Sequence, residues 1–99
     1  MAIVVARIDD RLIHGQVTTN WVRTNGIQVI VVVDDKLPDD EIQLSVLKMA
    51  APSNVKVYVL STDEFIKKYK AKILDKYRVM LLFNNPFVPL KLIENDVKI

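Results

Sequence analysis

The chain has 99 residues, 51% of them apolar, a formal net charge of +2 and no cysteine. That length suits one domain, and the near-balanced charge lacks the basic stripe of a nucleic-acid binder. Without cysteine there is no disulfide framework, thiolate nucleophile or zinc–thiolate site, which fits a reducing cytoplasm. The N-terminal residues 1–6 carry no basic leader, so no signal peptide is read there, and no apolar run reaches the length that spans a bilayer.

In chain order, residues 3–8 read as a strand. Residues 16–24 read as a helix with Val17 and Trp21 on one face, ended by Asn25 and by Gly26 at the left-handed C′ position. Residues 28–33, rich in β-branched side chains, suit a strand buried on both faces. Pro38 opens a second helix, with Asp39, Asp40 and Glu41 complementing the positive end of its dipole. Ile42, Val46, Met49 and Ala50 line one face of it. Pro52 and Asn54 break the chain before a third strand at 55–60.

Ser61 and Glu64 have the spacing of a capping box. The helix they open carries Phe65, Ile66, Tyr69 and Ile73 inward, while Lys67, Lys68, Lys70 and Lys72 read as a solvated face. Residues 77–83 form a fourth buried-type strand. Asn84, Asn85 and Pro86 turn the chain into a short helix at 89–94, and residues 97–99 look like a fifth strand beginning. The abrupt ending reads as the edge of a longer domain. Strands alternating with helices imply parallel β-α-β units. The expected fold is an α/β, open, doubly wound, mostly parallel sheet with helices on both faces, incomplete at its C-terminus. Ligands of such sheets sit beyond the carboxyl ends of the strands, here residues 9–14, Asp34 with Asp35, Ser61 with Thr62, and Asn84 with Asn85.

The segment Arg7-Ile8-Asp9-Asp10-Arg11-Leu12-Ile13-His14-Gly15-Gln16-Val17 bridges the first strand and the first helix. His14, the only histidine, falls at the helix start. There the free N–H groups of Gly15, Gln16 and their neighbours favour an anion, and Gly15 leaves room beside it. Arg7 and Arg11 each offer a guanidinium fork to phosphate oxygens. An imidazole with one neutral nitrogen free to attack suits a phosphoryl acceptor. A charge pair about 4 Å apart is worth roughly 4 kcal/mol at an effective dielectric near 20, and phosphoryl transfer depends mainly on positioning and such charge stabilisation. Asp9 or Asp10 orients the imidazole or holds the arginines; the residues alone leave the choice open. A structural role for His14 as a capping or surface residue is the plainer reading of a lone histidine in a βα loop.

Residues 7–17 closely resemble the active-site segment of the IIB domains of bacterial sugar phosphotransferase systems of the mannose/fructose/sorbose family. Arg11-Leu12-Ile13-His14-Gly15-Gln16-Val17 is the specific core of the likeness. It continues through Trp21, residues 32–35, residues 47–52, and Asn85 with Pro86, and so covers essentially the whole chain. The resemblance implies a phosphohistidine carrier, an enzyme that transfers phosphate. His14 would take phosphate, on Nδ1, from a phosphohistidine of the IIA domain and give it to a sugar held by the membrane IIC and IID subunits. Arg7 and Arg11 would steady the phosphate, with the loops at Asp34–Asp35 and Asn84–Asn85 bordering the docking surface. Asp34 and Asp35 read equally well as an ordinary strand-end turn. No metal or other cofactor is implied, nucleic acid is not a partner, and the location is the cytoplasm beside a membrane transporter.

Family members are usually half as long again, so residues 1–99 are expected to be the N-terminal portion of such a domain. An uncovered edge beside residues 77–83 or 97–99 would then invite dimerisation or strand exchange. Two other readings compete. Asp9, Asp10, Asp34 and Asp35 admit a receiver-like domain that phosphorylates an aspartate around Mg²⁺. A plain interaction module would leave His14 structural. Two glycines cannot form a dinucleotide-binding fingerprint. The choice of sugar is expected to lie with the membrane subunits.

Overall fold

A computed structural model describes residues 2–9, 13, 15–73 and 75–98, without the side chains of residues 15–17. Among the described residues, four strands and four helices alternate: β1 (Ala2–Ile8), α1 (Gly15–Asn25), β2 (Val29–Val33), a 3₁₀ turn (Leu37–Asp39), α2 (Glu41–Ala50), β3 (Lys56–Leu60), α3 (Thr62–Lys70), β4 (Arg78–Phe83) and α4 (Phe87–Glu94). Every pairing is parallel, and the sheet order is β1-β4-β2-β3. The expected doubly wound α/β architecture is present. The expected open edge at 77–83 is not: β4 lies between β1 and β2, and the edges among the described residues are β1 and β3.

The two central strands explain the layers. All five residues of β2 and residues 79–83 of β4 are buried. Because side chains alternate across a strand, such runs need cover on both faces. Val29, Val31, Val33, Val79, Leu81 and Phe83 pack with Phe65 of α3 and Val88 and Leu92 of α4. Ile30, Val32, Met80 and Leu82 pack with Val22 of α1 and Leu47 of α2.

Three helices end in the same way. Gly26, Lys72 and Asp96 take positive φ of 62°, 58° and 67°. The N–H of the following residue then reaches back to the last turn, Ile27 to Val22, Ile73 to Lys68, and Val97 to Leu92. This Schellman arrangement satisfies carbonyls that the helix leaves free. It also corrects the expectation of a strand at 97–99. Val97 is 3% exposed and sits with Leu92 in the core as the apolar partner of that cap, while Ile99 lies outside the described residues. At α3 the residue reached is Lys68, an exposed lysine. Ile73 therefore has no apolar cap partner and is 45% exposed rather than inward.

The second helix differs from the reading in two respects. Pro38 opens only the 3₁₀ turn. Asp40, extended at φ −108° and ψ 90°, separates it from α2 and caps α2 by accepting from the Gln43 N–H. Ile42, Val46 and Met49 do share a face, but that face is the outer one, with Ile42 77% and Met49 86% exposed. The sheet takes Leu47, with Ala50 packed beside it. α3 opens as read: Ser61 Oγ accepts from the Glu64 N–H and donates to Glu64 Oε1.

The Gly26 turn is held from outside by Arg78, whose guanidinium donates twice to the Asn25 carbonyl at 2.9 and 2.8 Å. A Cβ on Gly26 would lie 3.4 Å from Arg78 Nε, a close but tolerable contact. The cost of Gly26→Ala is therefore conformational, about 1–2 kcal/mol for a left-handed residue. Urea denaturation is expected to show a lower midpoint for Gly26→Ala at unchanged slope.

Candidate functional site

The helices that follow β1 and β2 cover one face of the sheet, and those that follow β3 and β4 cover the other. With the order β1-β4-β2-β3, neighbouring strands send their C-terminal loops to opposite faces. Crevices therefore open at that end of the sheet, where ligands of such folds bind. A cleft of about 590 Å³ lies there, lined by Asp34, Asp35, Thr62, Asn84, Asn85 and Lys91 among others. Of the residues expected at this end, these five from Asp34 to Asn85 are brought together; Lys91, on α4, was not foreseen. Its signal was its place one turn into the helix that follows Asn85.

The polar residues are held by unpaired N–H groups at the helix starts. Asp34, 8% exposed, accepts through Oδ2 from the backbone N–H of Lys36 and Leu37 at 3.0 and 2.9 Å. Asp35 Oδ1 accepts from the N–H of Thr62, at the start of α3, at 2.9 Å. Asn85 Oδ1 accepts from Phe87 and Val88 at the start of α4, and its Nδ2 donates to Asn84 Oδ1. The strand-end turn read for Asp34 and Asp35 is thus present, and it lines the cleft at the same time.

The Thr62 backbone N–H holds the Asp35 carboxyl below its ordinary value of 3.8; desolvation opposes this, and Lys91 assists it. The Thr62 hydroxyl pulls weakly in the same direction but forms no hydrogen bond of good geometry. Lys91 in turn lies 3.6 Å from Asp63, tying α4 to α3 at the surface.

β1 is followed in sequence by the segment that includes His14. The Asp9 N–H donates to the Phe83 carbonyl at 2.7 Å, extending the β1–β4 ladder to the point where the loop leaves. Ile13 is 4% exposed and packs with Val22, Leu47 and Leu82 under the α1–α2 layer. Asp10, Arg11 and His14 lie outside the described residues. Gly15 and Gln16 form the first residues of α1, with their side chains undescribed. Arg7, expected beside a phosphate, has its guanidinium 4.6 Å from the centre of the Trp21 ring. Such a contact is worth about 0.5–1 kcal/mol at an exposed site, and Trp21 is 38% exposed. The sequence reading placed Trp21 on a helix face and within the family likeness, without pairing it with Arg7. The signal for the pair was a basic residue at a strand end followed by the chain's sole tryptophan in the next helix.

Among the described residues no group of three or more His, Cys, Asp or Glu is placed to hold a metal ion, and no helix is long and apolar enough to cross a membrane.

A depressed folded-state pKa adds stability above the unfolded value and loses it as pH falls through the folded one. Asp35→Asn is therefore expected to lower unfolding stability at pH 7. The difference from wild type should begin to shrink near pH 4 and close below the folded value. Urea midpoints of both proteins across the acid range check this.

Residues 3–99 match the family described as the PTS system sorbose subfamily IIB component. The chain is 40% identical over 99 residues to the fructose-specific EIIB component of Bacillus subtilis (strain 168), covering 100% of this chain and 61% of that protein. It is 41% identical over 99 residues to the mannose-specific EIIAB component of Escherichia coli (strain K12), covering 100% of this chain and 31% of that one. The solved IIBSor domain of the sorbose permease from Klebsiella pneumoniae superposes with a TM-score of 0.94 at 39% identity, over 100% of this chain and 61% of that chain. The chain thus spans about three-fifths or less of the length of the relatives it matches. By sequence along nearly its whole length and by fold, it belongs to the sorbose-subfamily IIB components of the sugar phosphotransferase systems.

Proposed function

We propose that the chain is the phosphate-carrying, N-terminal portion of a IIB domain, and that His14 is the residue phosphorylated. The family match across residues 3–99, which includes the whole of 7–17, carries this reading. His14 directly precedes α1 in sequence, where helix N–H groups and dipole favour an anion.

The neutral imidazole nitrogen of His14 attacks the phosphorus of a phosphohistidine on the IIA partner. The new N–P bond forms as the donor's N–P bond breaks, and the donor imidazole leaves. In the second step a sugar hydroxyl attacks the same phosphorus: an O–P bond forms as the His14 N–P bond breaks, the hydroxyl proton is released, and neutral His14 and a sugar phosphate are left. Arg7, Arg11 and the N–H groups at Gly15 and Gln16 steady the phosphoryl oxygens, and Asp9 and Asp10 support the arginines or the ring. Charge spread over those oxygens makes such positioning the main source of rate. No cofactor is needed.

The EIIAB relative supports a IIA domain as donor. The sugar is held by membrane IIC and IID subunits, which places the chain in the cytoplasm at a transporter. The relatives' names span fructose, mannose and sorbose, in keeping with a choice of sugar made elsewhere.

For residues 1–99 on their own, self-association would run through the β1 edge, an edge of the sheet among the described residues. β4 is internal, whereas β1 is half-buried and ends in Ile8, 54% exposed. Uncovered strand edges pair with other chains. Sedimentation velocity should show a concentration-dependent dimer that Ile8→Lys weakens; a wild-type monomer at all concentrations would overturn this.

The carrier reading is tested with phosphoenolpyruvate, Enzyme I, HPr and a mannose-class IIA domain, read by intact mass. One phosphate, lost in acid and absent from His14→Ala, is expected without dependence on Mg²⁺ at the final step. A folded chain that stays unlabelled, alone and when extended past Ile99, would refute it.

A further inference from the structure

The segment 9–14 joins β1 at one end to α1 at the other in the chain. Any group it carries is placed by how those two elements sit together. Two described contacts span them on the α1 face of the sheet. Ile13 packs into the apolar cluster with Val22 of α1, against which Val4 and Val5 of β1 also rest. The other is polar: the Arg7 guanidinium, one residue before the end of β1, over the indole of Trp21 in α1 at 4.6 Å. Apolar packing resists separation but permits small slides along the helix axis. A guanidinium over a ring face also resists such slides, because the attraction is lost when the cation leaves the ring face.

We propose that Trp21 is a positioning residue for phosphoryl transfer. Its indole holds Arg7, and the pair ties the end of β1 to α1, the two elements between which His14 falls in sequence. The proposal rests on the carrier reading of His14. Trp21 lies six positions after Gly15, the first residue of α1, or about 9 Å along a helix rising 1.5 Å per residue. It therefore acts through Arg7 and the loop and not by touching the phosphate. Arg7 then has two duties in one side chain: charge near the site and a brace behind it.

Geometry of this kind appears in the rate of the chemical step more than in donor binding, since a misplacement of about 1 Å is enough to cost up to a hundredfold. Trp21→Leu removes the ring face and keeps an apolar side chain. Trp21→Phe keeps a face on which a guanidinium can lie.

The test begins with a readout independent of transfer. Trp21 is the sole tryptophan, so the fluorescence of the full chain reports on its contact with Arg7. A change in emission in Arg7→Lys is expected, and identical emission would overturn the contact. Transfer from phosphorylated IIA is then followed by rapid quench. Trp21→Leu should lower the maximal rate about tenfold with little change in the donor concentration at half-maximal rate. Trp21→Phe should recover most of it. In an Arg7→Lys background Trp21→Leu should add little further loss, because the partner is already gone.

Circular dichroism shows whether each variant is folded, and Trp21→Phe serves if Trp21→Leu is not. Full-rate transfer by folded Trp21→Leu, or losses from Arg7→Lys and Trp21→Leu that simply multiply, would overturn the proposal while leaving His14 as carrier. A wild-type chain that takes no phosphate, extended or not, would remove the carrier reading and the proposal with it.

Discussion

The burial of β2 and β4 on both faces is the constraint from which the rest of the arrangement follows. Two adjacent strands with almost no exposed side chain require apolar cover above and below. The chain supplies it by sending α1 and α2 to one side and α3 and α4 to the other. The same division makes neighbouring loops part at the carboxyl ends of the strands. The site is thus a by-product of core packing: a crevice opens where the layers separate, and the residues at its rim are those that end each strand. Burial of a leucine- or valine-sized side chain contributes about 1.5–3 kcal/mol, so the central pair outweighs any polar contact at the rim.

Polar residues at that rim serve the fold first. Asp34, Asp35 and Asn85 each accept from backbone N–H groups at the start of a helical segment. Such groups have no partner within their own helix. The carboxylates and amides therefore hold fixed positions around the cleft because the helix starts require them. Little at these positions has to move when a ligand arrives.

Much of this was legible from residue order. The strands and helices lie where the alternation of apolar runs and amphipathic segments puts them, because period and β-branching report burial directly. Gly26 at a left-handed turn, Ser61 as a helix cap and Asn84–Asn85 as a strand-end turn follow from local backbone chemistry. The segment from Arg7 to Val17 carried the specific core of the family likeness, which continued through Trp21, residues 32–35, residues 47–52, and Asn85 with Pro86. What escaped the reading shares a cause. The stripe of Ile42, Val46 and Met49 is a correct helical face that turns outward, because periodicity defines a face without saying what it meets. Val97 looked like a new strand but is a cap residue, since a lone buried valine after a helix looks the same in either role.

By itself, the order of residues determined the α/β class, the alternation of elements, the turns and the candidate phosphate-carrying segment. All of these depend on interactions within one or two turns of chain, or on a motif contiguous in sequence. Only the tertiary structure decided that β4 enters between β1 and β2, that β1 and β3 are the edges among the described residues, and that Arg7 lies on Trp21. Strand order and the pairing of distant side chains are set by how whole faces fill the space between layers, a long-range packing condition that no local pattern encodes.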